Sequence, residues 1–237
     1  MNDNLPATLN KMMQSGSWSN PAMNALIIDY IKYHIVLVVA GSILVVIFAL
    51  LSIVFWARWK RASKTDQRKW TFEKKTYFSF TVVCAVVGLL VAFIAVVNAT
   101  TVADPRQGFA LLVDSLGTPK AGTPMAKLDQ AFNTWIQSGS TSIPPLVQRK
   151  IAERVAFHTT KSLVSGIFLV VFVALTTLIW RTLIKRSRLP QVKWRLQDSA
   201  LLVCGVAGVI CSLLLLVIVV ANMQGALAPI AMTLFYG

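Results

Sequence analysis

His34 and His158 are the only histidines in the chain, and they stand 124 residues apart. Each follows an acid by five positions, Asp29 in one case and Glu153 in the other. Each is also followed at one common distance by an asparagine, Asn98 for His34 and Asn222 for His158. Imidazoles near carboxylates or amides can ligate a metal, hold a quinone or move a proton. His34 and His158 are therefore the candidate metal or redox positions. The spacing of the acids speaks against one shared ligand set. Five residues along a helix turn the acid about 140° away from its histidine, whereas i, i+4 neighbours share a face. The competing expectation is structural: His34 with Asn98, and His158 with Asn222, form polar pairs at the outer membrane interface that hold hairpins together. The sequence names no cofactor.

The same offset recurs beyond the histidines. It links Trp56 to Trp180, Trp70 to Trp194 and Pro105 to Pro229. With one residue of slippage, Gln14-Ser15-Gly16-Ser17 returns as Gln137-Ser138-Gly139-Ser140. The expectation is a tandem duplication. The first repeat covers 1–107, an inserted external connector 108–124, and the second repeat 125–237.

The elements that must carry these residues follow from composition. The chain of 237 residues is 56% hydrophobic and only 14% charged, where a soluble domain carries about 25% charged residues. Four runs, 35–56, 77–97, 162–180 and 200–221, contain no Asp, Glu, Lys, Arg or His. Each has close to the roughly 20 residues that cross the hydrocarbon as a helix. The expected fold is an all-α polytopic membrane protein. Its four transmembrane helices form two parallel tandem hairpin repeats, each preceded by an external amphipathic helix.

Charge suggests the orientation. The net charge of +14 is concentrated between the first and second runs, in a segment including Arg58, Lys60, Arg61, Lys64, Arg68, Lys69, Lys74 and Lys75. The segment between the third and fourth runs holds Arg181, Lys185, Arg186, Arg188, Lys193 and Arg195. Positive-inside bias places both basic loops in the cytoplasm, and both termini and the central segment outside or in the periplasm. Basic residues at span ends are accounted for by topology and by anionic lipid at the cytoplasmic face, so nucleic acid is not an expected partner. The first apolar run is too long, and begins too far into the chain, for a signal peptide. Cys84, Cys204 and Cys211 all fall in the runs and read as small apolar residues. Trp56, Trp70, Trp180 and Trp194 read as interfacial anchors.

Leu5, Leu9, Met12 and Met13 recur at helical spacing, as do Leu128, Phe132, Trp135 and Ile136. Each set is one apolar stripe. Such a stripe lies either on the outer membrane surface or against the protein's own helices or a partner. Ser19 or Asn20 before Pro21 is a helix start, and Ser142 with Pro144 and Pro145 is its counterpart. Small residues mark close helix packing in lipid: Cys84 and Gly88 correspond to Gly208 and Ser212, and Gly41-Ser42 to Ser165-Gly166. Further small residues, Ala92, Ala200 and Cys204, extend these faces at four-residue spacing.

The runs carry no ionisable residue and no proline, so neither proton relays nor broken helices announce themselves. The chain also lacks HExxH, CxxC, a nucleophile elbow and a phosphate-binding loop. The expectation is a non-enzymatic membrane subunit, a structural or accessory component of a larger complex. It would contact other membrane subunits or associate with itself, and the external helices together with the segment 108–124, with its apolar Phe109, Leu111, Leu112, Val113 and Leu116, would carry the contact. The alternative is an oligomeric channel or small transporter. A third possibility is a metal or redox site at the outer face.

Overall fold

Proline sets where most of the helices begin. In the computed structural model, α2 (Pro21–Arg61), α4 (Pro105–Asp114), α5 (Pro124–Ser138), α6 (Pro145–Ser187) and α8 (Pro229–Tyr236) all open on it. The first N–H of a helix has no intrahelical acceptor, so proline loses nothing there and its fixed φ favours the turn. The remaining helices are α1 (Leu5–Gln14), α3 (Phe72–Ala103) and α7 (Leu196–Leu227). A small antiparallel hairpin, β1 (Lys64–Asp66) with β2 (Lys69–Trp70), joins α2 to α3. The structure describes residues 4–16, 19–62, 64–66, 69–189 and 195–236. Trp194, Ser17, Arg68 and Lys193, all used in the sequence reading, lie outside these residues.

Four of the helices, α2, α3, α6 and α7, are long and apolar enough to cross a membrane, which makes this a multi-pass integral membrane protein. Each contains one expected span. Two run well past it: α2 has 41 residues and α6 has 43. At 1.5 Å per residue that is about 60 Å, twice the hydrocarbon thickness. No breaker stands between Pro21 and the apolar run of α2, or between Pro145 and that of α6, so nothing ends the helix at the polar boundary.

The chain forms two compact units, and neither is a sequential half. The first comprises Met1–Val38, Val96–Lys161 and Ala221–Gly237, and the second Val39–Ala95 and Ser162–Val220.

In the first unit, Leu5 and Leu9 of α1 and Leu128, Phe132, Trp135 and Ile136 of α5 are buried in one core. Phe109 and Val113 of α4 and Ala231 and Leu234 of α8 join it. Helix α1 packs on both α5 and α4. The apolar stripes thus cover one another, so the protein's own helices, and not the membrane surface, take them up. The same core takes up most of the apolar side chains of 108–124. Phe109 and Val113 are fully buried and Leu112 and Leu116 pack against the core, which leaves only Leu111 exposed. The boundary placed before residue 108 falls inside α4. Asn20, of the two candidates, caps α2: its Oδ1 accepts from Met23 N at 3.1 Å. Its Nδ2 donates to Ile136 O at 2.9 Å, tying the end of α5 to the start of α2. Gly139 ends α5 with φ +61°, a left-handed position suited to glycine.

In the second unit, small residues set the helix approaches. A Cβ on Gly41 would lie 3.1 Å from Ala95 Cβ, and one on Gly88 would lie 3.3 Å from Phe48 Cβ. Gly208 packs tightly on Thr176, Ser212 Oγ donates to Gly208 O at 2.7 Å, and Cys84 is buried. On α7 the contact face runs through Gly205 and Gly208, whereas Cys204 and Ala200 are exposed. Gly166 has no atom near the place of a Cβ and makes no close helix contact here. Trp56 and Trp70 are exposed. Trp180 differs: its Nε1 donates to Gly205 O at 3.2 Å, and its ring meets Phe80 edge-on at 4.9 Å.

Candidate polar site at the two histidines

The histidines and asparagines belong to the first unit: His34 and His158 lie about a third of the way along α2 and α6, and Asn98 and Asn222 lie near the C-terminal ends of α3 and α7. His34 of α2 meets Asn98 of α3, with Nδ1 2.7 Å from Oδ1. His158 of α6 meets Asn222 of α7, with Nδ1 2.9 Å from Oδ1. An amide oxygen only accepts, so each Nδ1 carries the proton and donates.

The two rings have different surroundings. Tyr30, one turn before His34, packs edge-on against it at 4.6 Å, and Tyr33 does so at 5.3 Å. The residue matching Tyr30 in the second half is Arg154. His158 lines an open cleft of about 310 Å³ with Lys150, Glu153, Arg154, Phe157 and Thr233. The other side of His158 rests on Gly225, where a Cβ would come within 2.6 Å of the ring.

The acids do something else. Asp29 is 4% exposed, and its Oδ2 accepts from Ala231 N at 2.8 Å. It thereby caps the first turn of α8, whose free N–H groups need an acceptor. Glu153 is exposed and pairs with Lys150 at 2.7 Å and Arg149 at 3.8 Å. Among the described residues neither acid hydrogen-bonds to its histidine. Nor do three His, Cys, Asp or Glu side chains gather there into a metal ligand set.

Several participants escape a reading by matched positions. Gln224 Nε2 donates to Tyr33 O at 3.2 Å, and Gly108 packs closely on the Tyr30 hydroxyl. Tyr30 had a usable signal, since i, i+4 spacing puts it on the same face as His34. Gln224 and Gly225 have no matching side chain in the first half to flag them; Thr100 and Thr101 stand there instead.

No family model, curated protein or solved structure matches the chain. Each histidine is oriented by an amide on the partner helix, and Asp29 joins two segments far apart in sequence.

Asp29→Ala should cost about 1–3 kcal/mol, because it strands a buried N–H. Thermal unfolding in mild detergent would register the loss, and amide exchange should accelerate first in α8. Asp29→Asn keeps an acceptor and should lose less. Unchanged exchange at Ala231 in Asp29→Ala would show that the cap contributes nothing.

Proposed function

We propose that the chain is a non-enzymatic subunit of a larger membrane assembly, a frame of two parallel tandem hairpins. The observation that carries this reading is how the polar side chains are used. His34 and His158 hold asparagines on neighbouring helices, and Asp29 holds α8. The groups best suited to chemistry are engaged in tying helices together.

A second observation supports contact with other membrane helices. On α7, Ala200, Cys204 and Ala207 are exposed and Cys211 is partly so, at alternating four- and three-residue spacing. Gly166 on α6 is open as well. In lipid, small-residue faces allow another helix to approach closely. The basic segments after α2 and α6 favour a cytoplasmic position, in contact with anionic lipid, with both termini and the central segment on the opposite side.

Native mass measurement after mild solubilisation tests the proposal. The expected result is a fixed-ratio complex with other membrane proteins, weakened in a Cys204→Leu/Ala207→Leu variant. A lone chain would overturn it. A homo-oligomer that conducts ions in liposomes would favour a channel, and metal lost in a His34→Ala/His158→Ala variant would favour a metal site.

A further inference from the structure

Phe80 and Trp180 form an aromatic wall in the second unit. On one side of it a groove of about 300 Å³ runs between α2, α3 and α6. Val54 and Phe55 line its apolar part together with the wall. Arg58, one turn beyond Val54 on α2, and Arg181, one turn beyond Thr177 on α6, both line the groove. Tyr77 stands with them, and the Arg58 guanidinium carbon lies 5.9 Å from the centre of its ring. Among the described residues no acid lines the groove. The nearby carboxylate, Glu73, accepts from Arg188 Nε at 2.9 Å. Among the described residues neither Arg58 nor Arg181 pairs with a carboxylate.

We propose that this groove binds an anionic phospholipid. The phosphate sits on Arg58 and Arg181, and an acyl chain runs along Val54, Phe55 and the Phe80–Trp180 wall. The charge and the apolar lining together select the occupant. A soluble anion would engage the arginines and leave the apolar part empty. A neutral lipid would fill the apolar part and leave two cations without a counter-charge. An anionic amphiphile satisfies both, and guanidinium forks suit phosphate oxygens. The site depends neither on the assembly proposed above nor on which side of the membrane the basic end faces.

The test is native mass spectrometry of the full chain in mild detergent, titrated with phosphatidylglycerol or with phosphatidylcholine of the same acyl chains. Wild type should prefer phosphatidylglycerol. Arg58→Gln/Arg181→Gln should weaken that binding about 20-fold and leave phosphatidylcholine unchanged. Arg61→Gln/Lys185→Gln removes equal charge outside the groove and should behave as wild type. Thr177→Trp fills the groove with both arginines in place, and it should also weaken phosphatidylglycerol binding. Excess inorganic phosphate should not displace the lipid. Equal losses in the two charge variants would mean diffuse surface attraction and would overturn the site, as would displacement by phosphate. If the arginine variant fails to fold, Thr177→Trp decides, and unchanged binding there also overturns the proposal.

Discussion

Trp135→Ala is expected to cost about 3–5 kcal/mol, the range for deleting a large aromatic side chain from a packed core. Trp135 is 2% exposed and packs beside Phe132, with ring centres 6.2 Å apart. It sits where α5 meets the rest of the first unit's core. Its Nε1 also donates to Ser140 O at 2.9 Å, which fixes the turn after the helix. Alanine would leave a cavity and an unpaired carbonyl in one step. Thermal unfolding in detergent should show the loss, and limited proteolysis should open the segment around Gly139. Trp135→Phe separates the two contributions, since it retains most of the ring and gives up the hydrogen bond, worth about 1 kcal/mol. An alanine variant within 1 kcal/mol of wild type would mean that α5 does not hold this core.

The second large effect lies in the other unit. Asp198 is 3% exposed, and Arg186 Nη1 approaches its Oδ1 at 2.9 Å. The contact is charge against charge, because Oδ1 has no aligned hydrogen-bond donor. Its Oδ2 accepts from Arg195 N at 2.9 Å and caps α7. Arg186→Ala would leave a buried carboxylate without the one cation that pairs with it among the described residues. The expected cost is about 3 kcal/mol, at the low end for a broken buried pair because Arg186 is itself partly exposed. Arg186→Ala/Asp198→Asn removes the stranded charge as well and should recover much of the loss. If the double variant is no more stable than Arg186→Ala in denaturant unfolding, the pair is not the cause.

Much of the fold was legible because lipid imposes simple rules. Runs without charge had to be helices, and those at 35–56, 77–97, 162–180 and 200–221 lie within α2, α3, α6 and α7. The Asn20–Pro21 start was legible because capping is local chemistry. The candidate pairs His34–Asn98 and His158–Asn222 followed from one idea, that the two ends of a hairpin lie side by side. What escaped depends on non-local contacts. Periodicity shows that Leu9 and Trp135 each belong to an apolar face, but not what covers that face. Four-residue spacing on α7 pointed to Cys204, whereas Gly205 meets Trp180, because the direction of approach is set by the neighbouring helix. Asp29 resembled half of an acid–histidine pair. Its partner is a backbone N–H, and no side-chain pattern reports one.

The Asp29 cap also has a consequence in time. Its partner, Ala231, follows it by 202 residues. At about 5–20 residues per second, a ribosome needs roughly 10–40 s to make the chain between them. Tyr33 O waits almost as long for Gln224, 191 residues later. Until then the start of α2 is synthesised and inserted, yet its buried acid has nothing to hold. The first unit therefore cannot mature from its leading segments alone. Its last ties, those that Ala231 and Gln224 bring, form only after all four spans have been synthesised.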